Sequence, residues 1–176
     1  MTRIEARDGA WSLSTEAADF EAELRPVLPV AMRLAAGMRL DRSDAEDAVQ
    51  EAALRAWRKR DARRPDTALR PWFLAIVANQ CRETRRARWA SVLRFADPPA
   101  RDDVVQPDAA DTAEVVNGLR RLPAAVRLAV VLRFYLDLPF DEVAAVSGCS
   151  VEAAKSRVRR GIAALGSALR VSENVT

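Results

Sequence analysis

The chain has 176 residues, 49% of them hydrophobic, which is enough apolar material for one ordinary domain or two small ones and argues against wholesale disorder. Its formal net charge is only +3, and it contains no histidine. Without histidine, Ser–His and Cys–His nucleophilic mechanisms are excluded and most zinc catalysis becomes improbable. The two cysteines, Cys81 and Cys149, lie far apart, so their spacing indicates neither a zinc site nor a disulfide framework.

The N-terminal segment does not resemble a signal for export. Residues 1–11, MTRIEARDGAW, carry charges where a signal peptide needs an apolar core. The chain also lacks a run of about 18 apolar residues that could span a bilayer. We therefore expect a cytoplasmic protein without direct membrane insertion, and a reducing compartment suits its two unpaired cysteines.

The basic residues are almost all arginines, since only Lys59 and Lys155 are lysines. Guanidinium groups bind phosphates and guanine edges in a bidentate manner, so this bias suits a nucleic-acid partner. A GC-rich genome, which favours arginine codons, is an alternative explanation for part of the bias.

Periodicity predicts an all-α protein, because no convincing alternating strand of useful length appears. A first helix is expected from about Glu16 to Arg39, bent or broken by Pro26 and Pro29.

The second predicted helix begins with a capping box formed by Ser43 and Glu46 and ends at about Arg60. One of its faces sets a hydrophobic residue among acidic and amide side chains. Its members are Asp47, Gln50, Glu51 and Leu54. This face is either a solvated helix surface or a docking surface for a basic partner protein, with the leucine as its apolar anchor.

A basic loop, residues 58–70, leads into a third helix that is expected from about Ala68 to Trp89. The helix starts apolar and ends with Arg82, Arg85, Arg86 and Trp89 on one face. These arginines complement the negative end of the helix dipole, which explains part of the pattern. Arginines mixed with aromatic residues also suit single-stranded nucleic acid, where bases stack and phosphates need cations.

Residues 94–114 differ in composition from the rest of the chain. They contain three prolines, five aspartates and one glutamate against two arginines, and have no sustained apolar period. This composition predicts an acidic linker that proline stiffens and charge repulsion extends. We therefore expect two small helical domains, at residues 15–96 and 113–170. The remaining parts are an N-terminal tail (1–14), the linker proper (97–112) and a C-terminal tail (171–176).

The second domain is predicted to contain a helix-turn-helix between Phe140 and Leu169, after a helix that runs from Pro123 to about Asp137. Gly148 tolerates the left-handed backbone of a helix end, and Ser150 stands where the N-cap of the next helix belongs. The predicted apolar stripe of that helix is Ala154, Val158, Ile162, Leu165 and Leu169. Its opposite face is basic, which is typical of either a solvated surface helix or a DNA reader. The turn chemistry favours the DNA reader.

These segments, in this order, resemble a bacterial alternative sigma factor of the extracytoplasmic-function (ECF) type, which carries only the second and fourth conserved regions of its family. Residues 41–60, DRSDAEDAVQEAALRAWRKR, resemble the polymerase-clamp helix. Residues 70–88, RPWFLAIVANQCRETRRAR, are similar to the segment that opens and reads the minus-ten element. Residues 119–165 are similar to the reader of the minus-thirty-five element. The chain departs from the usual pattern in several places: Pro71 precedes the tryptophan, Ala78 and Gln80 flank Asn79, Thr84 stands where bulkier residues are common, and Ser147 and Ala154 are smaller or more polar than the usual apolar residues.

The resemblance implies three sets of site residues. The set that would bind the core polymerase is Asp47, Gln50, Glu51 and Leu54. The set that would bind minus-ten DNA is Arg63, Arg64, Arg70, Trp72, Asn79, Arg82, Arg85 and Arg86. The set that would bind minus-thirty-five DNA is Glu152, Ala153, Lys155, Ser156, Arg157, Arg159 and Arg160.

The resemblance also implies partners. Core RNA polymerase would contribute the clamp coiled coil of its largest subunit and the flap of its second, and promoter DNA and an anti-sigma factor would be further partners. No cofactor or metal is implied, and the mechanism would be binding rather than catalysis.

Two other functions are compatible with parts of the sequence. A stand-alone helix-turn-helix regulator would bind DNA without polymerase, commonly at a palindromic site. A magnesium-dependent nucleotide hydrolase would use Asp44, Asp47 and Glu51, but the facing helix offers only Glu83 as a further carboxylate.

Overall fold

The computed structural model describes the backbone of residues 8–38, 41–94 and 110–173, and the side chains of residues 15–38, 41–87 and 115–166. Over these residues the chain is helical and contains no β-strand, which confirms the predicted all-α class. The helices are α1 (Asp8–Leu24), α2 (Leu28–Gly37), α3 (Arg42–Arg58), α4 (Leu69–Arg94), α5 (Ala110–Arg121), α6 (Ala124–Val130), α7 (Phe140–Ser147) and α8 (Val151–Glu173). We call α1–α4 the N-terminal unit and α5–α8 the C-terminal unit.

The first predicted helix is interrupted where its prolines predict. A short 3₁₀ turn, Arg25–Val27, contains Pro26 and separates α1 from α2. Proline fits such a position because it cannot donate the backbone hydrogen bond that a continuous helix would need.

The start of α3 differs from the predicted capping box at Ser43. The N-cap is Asp41, whose extended backbone (ψ 172°) turns its carboxylate onto the helix, where Oδ1 accepts a hydrogen bond from the backbone N–H of Asp44 at 2.8 Å. Asp41 therefore performs the capping that the sequence pattern assigned to Ser43.

Helix α4 is longer than predicted, and α5 starts earlier. The former continues to Arg94 and the latter begins at Ala110, inside the segment that composition assigned to the linker. Both differences lie at the ends of elements, where the sequence pattern is weakest.

The helix-turn-helix forms as predicted. Gly148 ends α7 with φ 60° and ψ 44°, a left-handed conformation that glycine adopts at little cost. Ser150 caps α8, since its Oγ accepts a hydrogen bond from the backbone N–H of Ala153 at 3.2 Å. The preceding helix ends in a π-helical turn, Val131–Tyr135, rather than continuing regularly to Asp137.

The apolar stripe of α8 is correct at its start and wrong further on. Ala154 and Val158 are buried, whereas Ile162 is 48% exposed. Gly161, the residue before Ile162, is buried instead. It lies so close to α6 that an added Cβ would be 2.3 Å from Val130 Cγ2. The missing side chain lets α8 cross α6 closely, and Leu165 completes a small apolar cluster there. Leu169 lies outside the residues whose side chains are described.

The two units share one hydrophobic core. A continuous cluster of buried residues includes Phe73 and Val77 of α4 together with Leu132 and Val143 of the C-terminal unit. Helix α4 packs directly against α7, and α2 packs against the π-helical turn. We call this contact between the units the seam.

At the seam the chain approaches itself closely because Gly37 has no side chain. A Cβ added at Gly37 would lie 2.6 Å from Val131 Cγ1 and 3.5 Å from Tyr135 Cδ1. An ion pair also crosses the seam, from Arg70 Nε to Glu142 Oε2 at 3.6 Å. In the free chain the two units are therefore in contact, an arrangement that we call closed.

Arg127, one helical turn before Val131, is an unusual buried cation. It is only 3% exposed, and its Nη2 donates to the carbonyl oxygen of Leu122 at 2.9 Å, whereas Nε and Nη1 have no hydrogen-bond partner. Burial and, secondly, the positive charge of Arg85 lower the pKa of Arg127 to about 10. A buried cation with one hydrogen bond and no carboxylate partner opposes folding.

Candidate nucleic-acid and protein-binding surfaces

The predicted docking face of α3 forms one side of a cleft. Asp47, Gln50, Glu51 and Leu54 all line it. The cleft has a volume of about 330 Å³, and α4 supplies its other side through Gln80 and Thr84. Leu54 is 51% exposed, so its apolar side chain is open to a partner. An exposed leucine in one cleft with two carboxylates is an arrangement that can anchor and orient a basic protein surface.

Arg55 holds the two sides of this region together. It donates hydrogen bonds to Glu83 of α4 at 2.8 Å and to Glu51 at 3.3 Å. These hydrogen bonds, first the one to Glu83, raise the pKa of Arg55 above its ordinary value. The spacing between α3 and α4 is therefore fixed by side chains as well as by the core.

A second, basic cleft lies on the same pair of helices. Its volume is about 230 Å³, and it contains three of the predicted minus-ten residues, Asn79, Arg82 and Arg86. Asn79 Oδ1 accepts a hydrogen bond from Arg82 Nη1 at 2.7 Å, which orients both side chains. Its remaining lining residues are Arg55, Lys59, Ile76 and Glu83. Four cations around a single apolar residue, Ile76, suit a nucleic-acid strand that offers phosphates and unstacked bases.

The loop residues of the minus-ten set lie at the other end of α4. The guanidinium of Arg63 lies 5.9 Å from the ring centre of Trp72 and is also paired with Glu23 at 3.2 Å. Arg64 is exposed. The ion pair fixes the position of Arg63, because it ties the loop back to α1.

Two members of the minus-ten set are directed toward the C-terminal unit instead. Arg70 pairs with Glu142 across the seam, and Arg85 is near enough for its charge to act on Arg127. The structure therefore does not gather the whole predicted set into one surface. It brings Asn79, Arg82 and Arg86 together, whereas Arg70 is paired across the seam and Arg85 lies near enough to Arg127 to repel it.

The predicted minus-thirty-five residues lie along the first three turns of α8. Glu152, Arg159 and Arg160 are exposed, and the others are half-buried, namely Ala153, Lys155, Ser156 and Arg157. Glu152 pairs with Lys155 at 2.8 Å, and this hydrogen bond and charge lower the pKa of Glu152. A helix that follows a tight turn and offers exposed cations has the geometry of a major-groove reader.

Sequence reasoning missed the α4 side of the docking cleft. Gln80 and Thr84 continue the spacing of the buried residues Phe73 and Val77 in steps of three and four, so their orientation toward α3 was detectable from the pattern. It also missed Phe134 and Tyr135, which are 60% and 54% exposed on the π-helical turn. Their exposure depends on that irregular turn, which no sequence signal predicts.

Over the part of the chain with described side chains, no group of three or more His, Cys, Asp or Glu residues could hold a metal ion. None of the helices described there is long and apolar enough to cross a membrane.

Comparison with known proteins identifies the family. Sigma-70 region 2 matches residues 20–91, and Sigma-70 region 4 matches residues 112–165. The RNA polymerase sigma factor NccH of Alcaligenes xylosoxydans xylosoxydans is 30% identical over 141 residues, which cover 74% of this chain and 76% of that one. The ECF RNA polymerase sigma factor EcfG of Rhodopseudomonas palustris is 32% identical over 72% of each chain. The chain belongs to the ECF family of RNA polymerase sigma factors.

Solved structures of sigma factors share the fold of this one. The sigma factor RpoE from Bartonella quintana, solved in complex with the anti-sigma factor NepR, matches with a TM-score of 0.70 and 28% identity, over 87% of this chain and 98% of that one. CnrH, solved with the cytosolic domain of CnrY, matches with a TM-score of 0.69 and 26% identity over 92% and 94%. The protein is thus an RNA polymerase sigma factor that directs promoter recognition, and the ECF resemblance is confirmed.

Proposed function

We propose that this sigma factor docks on core RNA polymerase through the cleft between α3 and α4. The observation that supports this most directly is the exposed Leu54, which lines the same cleft as Asp47 and Glu51. A basic, partly apolar helix pair, such as the clamp coiled coil of the largest subunit, has the complementary chemistry. We also assign the flap of the second subunit as a contact of the C-terminal unit.

The basic cleft on α4 is our candidate for the minus-ten element. Asn79, Arg82 and Arg86 would hold the separated strand, and the loop residues Arg63 and Arg64 with Trp72 would shape a pocket for an unstacked base. Unstacking a base costs about a few kcal/mol, which only a fitting pocket repays. Arg70 and Arg85 would join this surface once the units separate.

Helix α8 is our candidate for the minus-thirty-five element. Arg159 and Arg160 are exposed and follow a capped helix start, so they can reach base edges or phosphates in a major groove. Residues 15–96 and 113–170 would then act as two promoter-binding domains, with residues 97–112 as the linker between them. Each would bind DNA weakly alone, and polymerase would combine their affinities by holding them at a fixed separation.

An anti-sigma factor is a further proposed partner. The support is indirect, since two sigma factors of similar fold were solved with such proteins, NepR and CnrY. We propose that this chain acts in the cytoplasm and by binding, without catalysis.

Run-off transcription with purified core polymerase tests the proposal as a whole, and two charge variants separate its parts. Arg159→Ala should weaken binding to the upstream promoter element by tenfold or so, while affinity for core polymerase stays unchanged. Asp47→Lys should weaken binding to core polymerase while affinity for the upstream promoter element stays unchanged. An equal loss of both activities in Arg159→Ala, or normal polymerase affinity in Asp47→Lys, would contradict the corresponding assignment. Palindromic DNA binding without polymerase would favour a stand-alone regulator.

A further inference from the structure

The α4 side of the docking cleft contains a polar group that the free chain leaves unsatisfied. Gln80 lines the cleft, and its Oε1 is buried without a hydrogen-bond partner. Buried amide oxygens in folded proteins nearly always accept a hydrogen bond, because leaving one unpaired costs the full free energy of its desolvation. An exception beside a candidate protein-binding surface needs a reason.

The groups around Gln80 indicate which kind of donor is absent. The charged residues that line the cleft are Asp47 and Glu51, both acidic, and Thr84 completes the α4 side. Arg55 is occupied by its hydrogen bonds to Glu51 and Glu83 and does not line the cleft. The cleft is therefore rich in acceptors, and no cation of the described chain enters it.

We propose that Gln80 is a partner-binding residue whose side chain turns into the cleft on docking, where its amide oxygen accepts a hydrogen bond from an arginine side chain of core polymerase inserted between α3 and α4. An arginine suits the cleft better than a lysine. Its planar group carries five N–H donors, which can reach the Gln80 amide and a carboxylate of α3 together. The assignment rests on the proposed docking function of this cleft and adds to it the second side and the chemistry of the entering group.

If Gln80 has this role, its replacement by methionine should weaken binding to core polymerase without destabilising the free protein. Gln80→Met removes the unpaired amide but keeps an unbranched side chain of similar length and helix propensity. The free protein should melt at the same or a higher temperature, because no hydrogen bond is lost and a desolvated polar group is removed. Affinity for core polymerase should nevertheless fall by about tenfold or more, since a hydrogen bond to a charged group is lost.

Gln80→Glu is the matched variant. It keeps acceptor oxygens in the same place and adds negative charge, so affinity for polymerase should be retained or increased. The free protein should melt at a lower temperature, because a third carboxylate joins Asp47 and Glu51.

Binding of the full chain to purified core polymerase, measured by fluorescence anisotropy, and thermal unfolding of the free chain together decide the matter. Unchanged affinity in Gln80→Met, or an equal loss of affinity in Gln80→Met and Gln80→Glu, would overturn the role of Gln80. If Asp47→Lys also binds normally, the docking cleft itself is refuted. If Asp47→Lys fails to bind while Gln80→Met binds normally, only the role of Gln80 is lost.

Discussion

The seam between the two units can be tested by adding a single methyl group. In Gly37→Ala the new Cβ would lie 2.6 Å from Val131 Cγ1 and 3.3 Å from Val131 Cγ2. A separation of 2.6 Å is far inside van der Waals contact, and the atoms that it meets belong to a stiff, β-branched side chain. The units must therefore move apart or distort locally.

The size of the effect follows from two opposing contributions. Overpacking of a buried contact costs about 1–3 kcal/mol, and alanine gains at most about 1 kcal/mol over glycine in a helix. We expect the closed chain to be destabilised by about 1–2 kcal/mol, which lowers the melting temperature by about 2–8 °C for a protein of this size. The same free energy should shift the ratio of closed to open molecules about five- to thirtyfold toward the open form.

Urea denaturation measures the loss of stability, and small-angle scattering measures the shift toward the open form as an increase in the radius of gyration. Adding Val131→Ala should rescue Gly37→Ala, so that the double variant is more stable than the sum of the single effects predicts by about 1 kcal/mol. Gly118→Ala is the control, because its Cβ would also lie 2.6 Å from a neighbour, Leu165 Cδ2, but entirely within the C-terminal unit. It should leave the radius of gyration unchanged, because Leu165 Cδ2 is the free end of a flexible side chain that can move aside within this unit. If Gly37→Ala changes neither quantity, or Val131→Ala gives no rescue, the closed arrangement is wrong.

Two further predictions concern the C-terminal unit and the buried thiol. Ser150→Ala should lower the free energy of unfolding by about 1 kcal/mol in urea titrations, while Ser150→Asp should retain it, because only the latter still caps α8. An equal loss in both variants would rule out capping. At pH 8 a thiol reagent should modify half-buried Cys149 first and Cys81 only on unfolding, because burial raises the pKa of the Cys81 thiol to about 12. Fast labelling of Cys81 in the native chain would contradict its burial.

Local features were predictable from sequence because they depend on a few adjacent residues. The left-handed Gly148 and the cap at Ser150 each need only a neighbouring helix end, and both formed as expected. The cap of α3 was misassigned because Asp41 and Ser43 are both good N-cap residues two positions apart. Which of them is used depends on where the backbone becomes extended, which in this chain is at Asp41.

Features that depend on distant contacts were not predictable. Ile162 continues the apolar spacing of α8 perfectly, yet Gly161 is buried in its place, since the position of the crossing with α6 decides which residue faces inward. The candidate sites show the same division. The four predicted docking residues of α3 line one cleft because they share a helix face, whereas the α4 side of the cleft and the separation of Arg85 from Arg82 depend on how the helices pack.

The shared core limits what the closed chain can bind. Promoter elements named minus-ten and minus-thirty-five are about 25 base pairs apart, or about 85 Å along a duplex at about 3.4 Å per pair. If α4 and α8 read these elements as proposed, they cannot reach both while α4 packs against α7. The closed chain can then engage one element at a time.

The apparent affinity of the free protein for a whole promoter equals the affinity of the open form multiplied by the fraction of molecules that are open. With about one open molecule in a hundred, the dissociation constant rises about a hundredfold. Core polymerase, by binding the separated units, would remove that penalty before any DNA contact is made. A contact as small as Gly37 against Val131 would then help to keep the unaccompanied chain off promoters.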